Sequence, residues 1–108
     1  MIVVDAHQDI AYNAVCFGRD YLKSAIKKRL LEAGTGVPSQ NGKATIGWPE
    51  SVAGRVAIVF ATIFTAPRSR KPQPWSQVMY SDVAEAHQLG IQQLDYYHKM
   101  ADATDKVR

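Results

Sequence analysis

The sequence predicts an α/β chain of parallel strands alternating with helices, and three observations carry that prediction. Arg55 to Phe64 is almost continuously apolar and rich in β-branched and aromatic residues. Ser81 to Thr104 carries an apolar stripe at helical spacing. The chain opens on Ile2-Val3-Val4, an apolar run that leads into the polar cluster Asp5-Ala6-His7-Gln8-Asp9. A continuously apolar strand reads as buried on both faces, which is the condition of a parallel sheet covered by helices.

The first strand is expected over residues 2–8. Alternate side chains of a strand share a face, so Asp5, His7 and Asp9 point one way and Gln8 the other. Same-face neighbours lie about 6.5–7 Å apart at Cα, near enough for an imidazole and a carboxylate to meet on one divalent ion. His7 and Asp9 are therefore candidate metal ligands, and Asp5 is placed to hydrogen-bond one of them from behind. The plainer alternative is a hydrogen-bonded strand end that holds no ion.

Residues 10–18 read as a loop leaving that cluster, and residues 20–33 as a helix with Asp20 as N-cap and Gly34 as its stop. Leu22, Ile26, Leu30 and Ala33 form its apolar stripe, with Lys23, Lys27 and Lys28 on the other side. That basic side is expected to be a solvated face. It lacks the interleaved aromatics or Gly-rich cradle that phosphate contact would call for. Residues 34–53 are loop by their Gly, Pro and small polar content. The Gly42–Gly47 spacing is not followed by Lys-Ser/Thr, which excludes a P-loop.

The second strand is expected over 55–64, and Ala66-Pro67 argues against a buried helix there. Residues 66–80 are a basic, Pro-rich loop at that strand's C-terminal end. Arg68 and Arg70 are candidate partners for a substrate carboxylate, against the alternative of a solvated loop. The last helix is expected over 82–104, capped by Ser81, with Asp82 and Glu85 early and Lys99 and Lys106 late. Val83, His87, Gly90, Ile91, Leu94, Tyr97 and Ala101 form its apolar face, expected to cover the sheet. His87 and His98 stand too far apart along a helix to share one ion.

Composition sets the outer limits. With 46% hydrophobic and 21% charged residues the chain is globular rather than disordered. A net charge of +3 compels no nucleic-acid partner, and no apolar run reaches the length of a membrane span. The apolar start is broken at Asp5, unlike a signal peptide. Cys16 is the single cysteine and has no intrachain partner for a disulfide. Together these point to a cytoplasmic protein with neither nucleic-acid nor membrane partners.

Val4-Asp5-Ala6-His7-Gln8-Asp9-Ile10 resembles the Asp-Gly-His-Asn-Asp-Leu type opening of the renal (membrane) dipeptidases, zinc peptidases of the amidohydrolase superfamily. Trp48 to Gly54 before the second strand is similar, more weakly, to that family's lead into its own second strand, with Arg55 in place of a small residue. The resemblance implies that His7 and Asp9 are ligands of a two-zinc site, and that the substrate is a dipeptide or related amide. The family's bridging glutamate and further histidines have no match in this sequence. A complete barrel needs about 250 residues, so the 108 residues are expected to hold the first two to three βα units of a TIM-like (β/α)8 barrel, incomplete in this chain. On that reading the chain is an N-terminal fragment of a metal-dependent hydrolase, inactive alone. The alternative is a non-catalytic module whose open strand edges drive homo-oligomerisation or pairing with a complementing chain.

Overall fold

Val3–Gln8 (β1) and Val56–Ala61 (β2) lie side by side as a parallel pair in the computed structural model, which describes residues 1–105 and Val107. Four helices intervene between the two strands: Ile10–Phe17 (α1), Ala25–Glu32 (α2), Val37–Asn41 (α3) and Trp48–Ala53 (α4). A second, minimal parallel pair joins Ala66–Pro67 (β3) to Met79–Tyr80 (β4), and Val83–Asp102 (α5) closes the order. The chain is thus a mixed α/β structure with parallel strand pairs and five helices among the described residues. No helix among them is long and apolar enough to cross a membrane.

The β1–β2 register is irregular in two places. Val3 pairs with Val56 but Val4 with Ile58, and Asp5 pairs with Val59 but Gln8 with Ala61. Three steps on β1 against two on β2 make a bulge between Asp5 and Gln8, and a bulge resets which face a side chain takes. Gln8 consequently shares a side with Asp5, to which its amide donates at 2.7 Å, instead of lying opposite. The residue before β2, Arg55, is the one non-glycine with positive φ among the described residues, at 56°. Its carbonyl accepts the Val3 N–H at 2.9 Å and so starts the strand pair.

Several expectations are corrected. Ile10–Phe17 is a helix, not a loop, ended by Gly18 in the left-handed conformation. The second helix begins only at Ala25, because Ser24 accepts the Lys27 N–H as cap while Asp20 turns the chain by accepting the Leu22 N–H. Its burial is also rotated from the apolar stripe: Ala25, Lys28 and Glu32 are buried, whereas Ile26 and Leu30 are exposed. Two short helices occupy the stretch expected to be loop, each with proline in its first turn, where no N–H is needed. Gly47, just before the second of these, is pressed so close to the Lys23 carbonyl that no Cβ fits.

β2 is not buried on both faces. Ile58 is 51% and Phe60 61% exposed, because α5 packs on α1 and β4 and leaves the sheet open. The last helix is capped by Asp82, which accepts the Glu85 N–H at 2.8 Å, rather than by Ser81. Its buried centre is polar: Gln93, fully buried, pairs both ends of its amide with the Phe64 main chain. Val83, Ile91 and Leu94 of the expected apolar face are exposed. Lys106 lies outside the described residues.

A polar joint ties the helices together. Arg19 holds Glu32 through two bonds of 2.6 and 3.0 Å, and also reaches the Asn13 side chain and the Gly42 carbonyl. Arg19 and Glu32 are both buried, so each charge depends on the other for compensation.

Candidate metal-ligand pair at the end of the first strand

His7 and Asp9 sit where β1 ends and α1 begins, at the C-terminal end of the parallel pair. The His7 Nε2 and Asp9 Oδ1 atoms are 3.2 Å apart, with side chains 67% and 42% exposed. The spacing read from the sequence therefore brings the two groups together. Asp9 occupies the N-cap position of α1, yet its carboxylate makes no capping bond. It is turned instead toward His7 and toward the Thr62 hydroxyl just past β2, which donates to Asp9 Oδ1 at 2.5 Å. The vacancy at the helix start is filled from α5, because the Tyr97 hydroxyl accepts the Ala11 N–H at 3.1 Å. The same hydroxyl donates to the Thr62 carbonyl at 2.6 Å, locking the ends of both strands to α5.

Asp5 braces His7 through the main chain and not through the ring. Its Oδ1 accepts the His7 backbone N–H at 3.0 Å and its Oδ2 the Gln8 amide. These bonds, the Gln8 amide first and the His7 N–H second, lower the Asp5 carboxyl below its ordinary value. Among the described residues the buried Gln8 Oε1 has no hydrogen-bond partner.

The two arginines fall elsewhere in role. Arg68 is committed to the start of α5, donating to Ser81 Oγ at 2.6 Å and pairing with Glu85 at 3.0 Å. Arg70 is exposed in the bend that follows β3. His87 and His98 are exposed on α5. Among the described residues no group of three or more His, Cys, Asp or Glu side chains is placed to hold an ion. Sequence reasoning missed Thr62, which bonds the Asp9 carboxylate from more than fifty residues away, and Tyr97, which bonds the Ala11 N–H and the Thr62 carbonyl beside it. A threonine ending an apolar strand carries no local signal of that task.

The donor pair passes a simple metrical test. Two ligands each about 2.0–2.1 Å from one tetrahedral zinc stand about 3.3 Å apart. The His7–Asp9 separation of 3.2 Å is that of a direct hydrogen bond between the two side chains. It is equally compatible with two ligands of one zinc, for which an imidazole and a carboxylate are a suitable donor set. Comparison with protein families, with curated proteins and with solved structures finds no match.

Proposed function

We propose that the chain supplies the first two ligands, His7 and Asp9, of a zinc-dependent hydrolase of the dipeptidase type. The observation that carries this reading is the 3.2 Å approach of the two side chains at the C-terminal end of parallel strands. Parallel α/β enzymes build their sites at that end. On this reading β1 and β2 are the first strands of a TIM-like barrel, and the protein works in the cytoplasm. Zinc, when bound, activates water and polarises the carbonyl of a dipeptide or related amide. The chain's own part is to aim its ligands: Thr62 fixes the Asp9 carboxylate, and Asp5 fixes the His7 main chain. With two protein ligands where catalytic zinc takes about three, further donors come from a longer chain or a neighbour.

The test is metal content on protein purified without chelator, followed by zinc titration. Saturable uptake that is lost in the His7→Ala/Asp9→Ala double variant, with helical content unchanged, is the expected result. Equal uptake by the double variant places the site elsewhere and overturns the reading.

A second reading rests on a different observation. Val4, Ile58 and Phe60 expose apolar surface on a strand pair whose outer edges have no strand neighbour among the described residues. Such a sheet suits an assembly module that pairs with a second copy of itself.

A further inference from the structure

Lys28 is a lysine in the wrong place for a solvated helix face. It is 5% exposed, and its ammonium makes no hydrogen bond or ion pair among the described residues. Its one close partner is the Tyr21 ring, whose centroid lies 5.6 Å from Nζ. Of the acids around it, Asp20 pairs with Lys23 at 3.0 Å and Glu32 with Arg19. Glu50 accepts the Ala25 N–H at 3.1 Å, pairs with no cation among the described residues and attracts Lys28 from a distance. Burial lowers the Lys28 amine below its ordinary value, and those acids only partly offset it. A buried ammonium with no contacting counter-ion is costly, and the Glu50, Asp20 and Glu32 charges nearby compensate it only in part.

A cavity of about 200 Å³ opens beside it, lined by Lys28, Arg19, Lys43, Asn13, Asn41 and Tyr21 among others. The guanidinium of Arg19 is neutralised by Glu32, so Lys28 and the exposed Lys43 leave the lining net positive. The amides of Asn13 and Asn41 are held in place by their mutual bond of 2.9 Å, and Asn13 also accepts from Arg19. The wall is cationic. Its volume suits a small group and falls short of the roughly 300–1,000 Å³ of sites for drug-sized ligands.

We propose that this cavity binds a small oxyanion, a phosphate or carboxylate group, with Lys28 as its principal cation. The cavity is not lined by His7 or Asp9, although Asn13 of its wall donates to the Asp9 main-chain carbonyl at 2.8 Å, and its proposal does not rest on zinc binding. The experiment uses the whole chain, carbon-13 labelled at lysine, in a chelator and at constant ionic strength. It is titrated in one arm with inorganic phosphate and in the other with acetate. The Lys28 side-chain signals should shift saturably in at least one arm while those of exposed Lys27 do not. Phosphate alone identifies a tetrahedral ligand, and acetate alone a carboxylate. Lys28→Met should weaken binding at least about tenfold, and Lys28→Arg should retain it. Should Lys28→Met fail to fold, the parent's Lys28 signals still decide. Signals that move no more than in chloride, or equal binding by a folded Lys28→Met, overturn the proposal.

Discussion

Tyr97 caps the helix that Asp9 begins. The Asp9 side chain stands at the N-cap of α1 but bonds to Thr62 and approaches His7, while the Tyr97 hydroxyl accepts the Ala11 N–H in its stead. An aspartate at this position ordinarily satisfies its own helix. Here a residue 86 positions away from Ala11 performs that task, and the carboxylate is released for another.

Tyr97→Phe tests that division of labour. The phenylalanine keeps the ring and removes both the acceptor for Ala11 and the donor to the Thr62 carbonyl. A loss of about 1–3 kcal/mol is expected in denaturant unfolding, the usual cost of stranding partly buried polar groups. If the chain takes up zinc as proposed, uptake should weaken as well, the expectation being that Asp9 then turns back to cap α1. Unchanged stability and unchanged uptake would show that the hydroxyl matters to neither.

How far the sequence disclosed this arrangement depends on the range of the interactions. The His7–Asp9 pair was legible because two residues apart on a strand end is a local relationship, and Val56–Ala61 because its apolar run is self-contained. α1 was hidden because Asp9 gave no capping signature and Gly18 was the only stop. Its burial is supplied by α5, which is remote in sequence. The rotation of α2 was equally hidden. Periodicity ranks Ile26 and Leu30 above Lys28 and Glu32 for burial, yet Arg19 draws Glu32 inward and the lysine follows one turn behind. Gln93 defeats hydropathy altogether, because its amide serves as the hydrogen-bonding partner that a neighbouring strand would give Phe64.

Arg55 holds a left-handed backbone, with φ of 56°, where a side chain is strained and glycine is not. It follows Gly54, whose φ of −79° makes no use of its own freedom. Arg55→Gly should therefore raise stability by about 1 kcal/mol, strain relief of 1–2 being reduced by glycine's entropy. The shift is read in the denaturant midpoint. A clear loss of stability would mean that the arginine side chain contributes more than its backbone costs.

The Asp5 carboxyl should titrate below its ordinary value of 3.8, held there by the Gln8 amide and then by the His7 N–H. A lowered folded pKa contributes stability above the ordinary value, and that contribution is lost as pH falls through the folded one. Gln8→Leu removes the larger cause together with the unpartnered Oε1 atom. The Asp5 carboxyl, followed by carbon-13 resonance against pH, should then move upward toward 3.8. No movement would mean that the Gln8–Asp5 bond is not made in solution.

The open sheet makes the last prediction. Ile58 and Phe60 lie two apart on β2 and are both more than half exposed, with Val4 beside them on β1. Two-stranded sheets are marginal in water unless something covers them. If a second copy supplies that cover, the chain runs as a dimer or larger in light scattering at micromolar concentration. Phe60→Lys and Ile58→Lys should each shift it toward monomer, since a charge on the contact face carries a desolvation cost in the assembly alone. Zinc uptake should survive both changes if His7 and Asp9 act within one chain, and fall with them if the missing donors come from the partner. A monomeric parent removes the assembly reading.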